Sequence, residues 1–209
     1  MDWPGTWDGW WFDIAAGFSQ TTVGQLWNEV ARTLCTEWNV FAADLFNEPY
    51  RGRWNPGDKS DIGAGFSLIG TAVQEGCARL LVLVQGAGRQ LDEGEADTCW
   101  GGSFTDARRF MAQGPVMIPD MAKLIISPHQ YGPSLYGVPA TEEWMPRAFR
   151  NMNFPNNLEA LWDEIFGFVT EEGLRLPLVM SETGGNLVCC QTPWLMRPGA
   201  DAEWQAKLF

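Results

Sequence analysis

The sequence predicts an α/β protein built on a parallel sheet, and three observations carry that expectation. Short apolar runs alternate with segments whose apolar residues recur at three- and four-residue spacing. The runs are apolar on consecutive residues, the pattern of strands covered on both faces. Each run also ends in polar or ionisable residues on its C-terminal side, where α/β folds gather their ligand-binding groups. No tandem repeat, low-complexity tract or linker divides the chain, so residues 1–209 read as a single domain or part of one.

The elements follow in order. Thr21 or Thr22 is placed to cap a first helix with Val23, Leu26, Trp27, Val30 and Leu34 on its inner face. A short strand spans 40–46 and gives way to Asn47, Glu48 and Pro49. A Gly-rich helix spans 63–77 with Phe66, Ile69 and Val73 on one side, and "LLVLVQG" at 80–86 is the second strand. A loop over 87–120 leads to "KLIISPHQY" at 123–131, the third. A helix over 156–173 turns Leu158, Leu161, Trp162, Ile165 and Phe168 inward, and "LPLVMSETGG" at 176–185 is the fourth strand. Parallel strands require crossovers, which the helices supply. Asn47 and Glu48, then Gln85, then His129 and Tyr131, then Glu182 would thus collect at one rim. Asp44, acidic inside an apolar run, reads as a buried structural carboxylate.

Composition narrows the partners. The chain of 209 residues is 45% hydrophobic and 19% charged, enough for one sizeable core. Its net charge of -12, with lysine only at Lys59, Lys123 and Lys207, repels phosphate backbones and anionic lipid, so neither nucleic acid nor a membrane is an expected partner. A neutral ligand fits better. No apolar run reaches the length of a membrane span, and "MDWPGTWDGWWFD" at 1–13 has neither the basic region nor the apolar core of a signal peptide. An export signal, if the mature protein is exported, would lie outside this chain.

Five cysteines match no zinc spacing and His129 is the sole histidine, so no metal site and no cofactor are expected. Cys35 and Cys77 read as small buried apolar groups. Cys99 with Cys189 or Cys190 could form a loop disulfide in an oxidising compartment. Among the tryptophans, Trp100 sits beside two glycines in a loop after a strand, where a flat ring can stack on a sugar face; Trp54 is a second platform candidate.

"FNEP" at 46–49, "WGG" at 100–102, "HQY" at 129–131, "FPNNLEALW" at 154–162 and "SETGG" at 181–185 together resemble glycoside hydrolase family 5, most closely its cellulase-like members of clan A. The resemblance covers essentially the whole chain but only about the second half of the family's catalytic domain. It implies a (β/α)8 TIM barrel of which strands four to seven and their helices are present, the first three strands and the eighth having no counterpart here. Residues 1–13 resemble the loop after the family's third strand, and 202–209 the start of the helix after its seventh. Half a barrel exposes two strand edges and an apolar interior. The isolated chain is therefore expected to self-associate or to need the missing barrel half, with little activity alone.

The resemblance further implies a retaining endo-β-1,4-glycosidase acting on cellulose or another β-linked polysaccharide, and, by family, secretion. Glu48 would be the acid/base and Glu182 the nucleophile, roughly 5–5.5 Å apart as retention requires. Tyr131 would donate to Glu182 and favour its ionised form, Asn47 would contact the sugar 2-hydroxyl, and His129 would line the same subsite. Thr183 stands where many members have phenylalanine, and Gln85 where glutamate often precedes the glycine of strand five; neither change removes the chemistry. The missing strands support an alternative, a non-catalytic glycan-binding or structural remnant.

Overall fold

The computed structural model describes residues 19–49, 52–58, 60–87, 100–109, 116–136, 146–171, 174–185 and 199–209. Strands β1 (Ala42–Asp44), β2 (Leu81–Val84) and β3 (Leu124–Ile126) form a parallel sheet in that order. Strands β4 (His129–Tyr131) and β5 (Glu182–Gly184) pair in parallel as a second sheet. The third predicted strand is thus divided, because Pro128 between Ser127 and His129 has no N–H for the ladder. Ser127 still donates to Val84, whereas His129 donates to the Gly101 carbonyl. A parallel bridge between Ile126 and Leu178 carries the fourth run alongside the third, so the four predicted runs lie side by side.

Helices α1 (Gln20–Leu34) and α2 (Ile62–Gly76) pack against one another. Phe66, Ile69 and Val73 of α2 are buried, as their spacing predicts. Helix α1 departs from expectation twice. Its N-cap is Ser19, whose hydroxyl accepts from the Thr22 N–H at 3.1 Å, rather than Thr21 or Thr22. Its Leu26, Val30 and Leu34 are exposed, and the face toward α2 carries small or polar residues instead. Ala31 is buried there, Asn28 donates to the Ala72 carbonyl, and a Cβ on Gly76 would lie 2.5 Å from the Asn28 carbonyl oxygen. Close approach of the two backbones selects small side chains there; Val23 and Trp27 still pack against the core, while Leu26, Val30 and Leu34 turn outward.

The ends of these helices are joined covalently. Cys35, at the C-cap of α1, is bonded to Cys77, at the C-cap of α2, which corrects the reading of both as buried thiols. Beside the bond, the Arg79 guanidinium donates to the carbonyls of Leu34 and Cys35 at the end of α1 and to those of Glu37 and Val40 in the loop that follows. The other candidate pairing, Cys99 with Cys189 or Cys190, lies outside the described residues.

Two short helices follow β4. α3 covers Arg147–Arg150 and α4 covers Leu158–Ile165, where the sequence suggested a helix as far as 173. The difference lies at Ile165, whose carbonyl accepts from the Phe104 N–H at 2.7 Å, while Phe166 leaves helical geometry and a 3-10 turn follows at Gly167–Thr170. Leu158, Trp162, Ile165 and Phe168 are buried as expected. Helix α5, Ala200–Leu208, closes the chain where the sequence suggested a helix start. Among the described residues no helix is long and apolar enough to cross a membrane.

Candidate active site

Strand alternation decides which groups face the site. His129 and Tyr131 are two residues apart and share one face of β4, while Gln130 between them points away and accepts from the buried Trp162 indole at 3.1 Å. The parallel register sets Glu182 of β5 against His129, and Gly184 against Tyr131. The Tyr131 hydroxyl donates to Glu182 Oε2 at 2.6 Å. Glu48 enters from the loop after β1. Its φ of 47° puts a non-glycine residue in left-handed geometry, and its Oε1 reaches His129 Nδ1 at 2.9 Å.

His129 is therefore the hub: it is completely buried and has the two glutamates on one ring nitrogen, Glu48 at 2.9 Å and Glu182 Oε2 at 3.8 Å. One ligand-capable atom of each of the three residues lies within 4.8 Å of the others. The two carboxylates differ in setting. The Glu48 side chain is 22% exposed and that of Glu182 is 44% exposed, so the first is shielded by protein while the second stands more open to solvent.

The left-handed backbone of Glu48 is held by Gln85 at the end of β2. Gln85 is buried, its Oε1 accepts from the Glu48 N–H at 2.7 Å, and its Nε2 donates to Asp44 Oδ2 at 2.8 Å and to Asn47 Oδ1 at 3.4 Å. Asp44 is not the buried carboxylate expected, since the residue is open to solvent on one side. Crowding by protein atoms raises its pKa, opposed by the hydrogen bond from Gln85 and by the neighbouring His129; the Glu182 charge adds to the rise. Ser181 Oγ also lies 3.1 Å from His129 Nε2.

The loop carrying Trp100 is seated against the same group. Gly101 has φ +76, and a Cβ there would lie 3.1 Å from both Gln85 Oε1 and His129 Cγ, so glycine is required by conformation and by space. Its carbonyl accepts from the N–H groups of Gly86 and His129. Trp100 itself is 43% exposed, as a stacking surface must be. Trp54 is not such a surface: it is buried against Phe66 and Phe104, with ring centroids 5.9 and 5.5 Å away, and packs the core.

Of the residues expected at a site, the structure brings Glu48, Glu182, His129 and Tyr131 into direct contact. Asn47 joins them through Gln85, and Trp100 through the loop beneath His129. Sequence reasoning noted Gln85 as a strand-end polar residue and as a departure from the family's usual glutamate, and gave Ser181 no role beyond its motif. The single available signal was an amide ending an otherwise apolar strand.

Two glutamates around a buried histidine, carried on parallel strands and the loops beside them, define an acid–base site on an α/β scaffold, and comparison with known proteins identifies its family. The family model described as "Cellulase (glycosyl hydrolase family 5)" matches residues 10–194, and the chain belongs to that family. An endoglucanase of Paenibacillus polymyxa is 28% identical over 184 residues, covering 87% of this chain and 41% of that protein. The major extracellular endoglucanase of Xanthomonas campestris pv. campestris is 28% identical over 131 residues, covering 61% of this chain and 24% of that one. A glutamate-to-alanine variant of the Pyrococcus horikoshii endocellulase, solved with cellotetraose, superposes with a TM-score of 0.73 at 27% identity, covering 96% of this chain and 53% of that one. The chain thus carries an α/β, parallel-stranded part of the fold of these enzymes and spans from about a quarter to about half of their length.

Proposed function

We propose that the chain carries the catalytic glutamate pair of a retaining endo-β-1,4-glucanase, secreted and acting on cellulose-type chains. The observation that carries this reading is the placement of Glu48 and Glu182 around His129, with carboxylate oxygens within 4.8 Å. That proximity supports double displacement, for which roughly 5–5.5 Å is usual, over inversion, which leaves roughly 6.5–9.5 Å for a water. Glu182, with Tyr131 donating to Oε2, attacks the anomeric carbon. Glu48 gives its proton to the departing glycosidic oxygen, the C–O bond breaks, and a glycosyl ester forms on Glu182. Water then attacks the same carbon, Glu48 takes its proton, and the ester bond breaks with net retention. Asn47 and Trp100 contact the sugar, the first at the 2-hydroxyl and the second by stacking. The cellotetraose complex of the Pyrococcus relative supports the substrate class. The extracellular Xanthomonas relative and the Cys35–Cys77 bond support secretion.

The test is hydrolysis of cellotetraose by the chain with its missing barrel half restored, followed by NMR of the newly formed anomeric centre. The expected product has the β configuration. Glu182→Ala should abolish turnover, while Glu48→Ala should keep cleavage of an aryl cellobioside whose leaving group needs little protonation. An α product, or full activity of Glu182→Ala, refutes the assignment.

A further inference from the structure

The strands that carry Tyr131 and Glu182 meet, past the cluster around His129, on one buried carboxylate. Asp201 lies in the first turn of α5 and is 4% exposed. One turn further on, Trp204 is buried in the core, so the helix is seated by its indole and presents Asp201 on the same side. Asp201 Oδ1 accepts from the Ser134 N–H at 3.0 Å, in the 3-10 turn Pro133–Tyr136 that follows β4. The carboxylate also fills space that two glycines leave for it. A Cβ on Gly132 would lie 2.4 Å from Asp201 Oδ1, and one on Gly185 would lie 3.2 Å from Asp201 Cβ and Cγ. Gly132 directly follows Tyr131, and Gly185 directly follows the end of β5. The last tie between the two strands is at the same place, where the Gly132 N–H donates to the Gly184 carbonyl at 2.9 Å.

We infer that Asp201 is a positioning residue for the nucleophile: it clamps the ends of β4 and β5 together and so holds Tyr131 and Glu182 at their hydrogen-bonded distance of 2.6 Å. The sheet these strands form is two-stranded and pairs only three residues of each, which is marginal by itself. Whatever grips its end therefore sets how its side chains meet. The Glu182 side chain is 44% exposed, so its aim depends on the backbone that carries it and on the Tyr131 hydroxyl. Both of those lead to Asp201 within a few residues of chain. The contacts that make the clamp are an accepted N–H and a side-chain volume fitted between Gly132 and Gly185, and asparagine reproduces both. This role deepens the glycosidase reading and rests on it for the use made of Glu182.

The test uses the chain with its missing barrel half restored and a dinitrophenyl 2-deoxy-2-fluoro-β-cellobioside as the probe. Glu182 attacks its anomeric carbon, the bond to dinitrophenolate breaks, and the ester on Glu182 persists, so inactivation reports the nucleophile without a proton from Glu48. Asp201→Ala should lower the limiting inactivation rate by roughly 10- to 10²-fold, as displacement of a reacting group does, and change the half-saturating probe concentration by less than about twofold. Asp201→Asn should recover most of that rate. A second readout is 13C NMR of tyrosine labelled at Cζ, with the Tyr131 resonance assigned by Tyr131→Phe and its unbonded position given by Glu182→Ala. Asp201→Ala should move the resonance toward that unbonded position, and Asp201→Asn should leave it in place. Gly185→Ala presses a methyl group on the same carboxylate without removing it, and should shift the resonance and the rate in the same direction if Asp201→Ala does not fold. A variant that melts lower but keeps the wild-type rate and resonance makes Asp201 a structural residue and overturns the inference. So does a loss confined to probe binding, or an Asp201→Asn variant as slow as Asp201→Ala. A wild type that takes no label on Glu182, but whose Tyr131 resonance follows Asp201 as expected, upholds the clamp and refutes the glycosidase reading instead.

Discussion

Breaking the Cys35–Cys77 bond should destabilise the protein by an amount set by the chain it closes. The two cysteines are 42 residues apart, and a loop of that length restricts the unfolded chain by about 13 cal/mol/K, or about 4 kcal/mol at 25 °C. Against a total stability of roughly 5–15 kcal/mol that is a large fraction. For a domain of this size it corresponds to a fall in Tm of roughly 8–16 °C. The assay is a pair of thermal melts, oxidised and reduced, with the double substitution Cys35→Ser and Cys77→Ser as a reductant-free control. Thiol titration of the unfolded, unreduced chain should find no more than three thiols, because two of the five cysteines are consumed. Identical melts with and without reductant, or five titratable thiols, would refute the reasoning. Arg79 should limit the damage to stability rather than architecture, since it holds the same helix end and the loop after it through four carbonyls.

Two further outcomes are expected. Trp100→Ala should weaken binding of cello-oligosaccharide by about 1–2 kcal/mol while leaving the melt nearly unchanged, because the ring is 43% exposed; a lowered Tm with unchanged affinity would make Trp100 a packing residue instead. Asp44 has a folded pKa raised above 3.8 by the protein atoms crowded around its carboxylate, so the folded state binds the extra proton and stability falls as pH rises from below 3.8 through that raised value. Melts of wild type and Asp44→Asn should show the wild type losing ground over that interval; a constant or opposite difference would contradict the sign.

The strand runs and their polar ends were legible because both follow from local pattern: consecutive apolar residues, then an amide or carboxylate where the backbone leaves the sheet. Glu48, His129, Tyr131 and Glu182 could be named on that basis with the family motifs beside it. The orientation of α1 was not legible. Of the stripe Val23, Leu26, Trp27, Val30 and Leu34 only Val23 and Trp27 pack on the core, because the packing face is chosen by how closely α2 approaches, and Asn28 and Ala31 carry almost no apolar signal. Trp54 shows the same limit, since only the positions of Phe66 and Phe104 distinguish a core ring from a platform. The disulfide required knowing that two helix ends meet. Gln85 required more: its work depends on the left-handed φ of Glu48, which no residue type announces.

The small ribbon formed by Ala87 and Ser103, with Gly101 turned beneath His129, occupies the place beside β2 that an uninterrupted third strand would have taken. Trp100 is the next residue along that ribbon. The surface proposed to grip the sugar and the histidine that touches the acid are consequently mounted on a common piece of backbone, one peptide apart from a shared carbonyl. Errors in where the chain places one are inherited by the other. A sugar aligned on the indole would thereby be aligned on the proposed proton donor as well, without any need for the rest of the sheet to be held to the same tolerance.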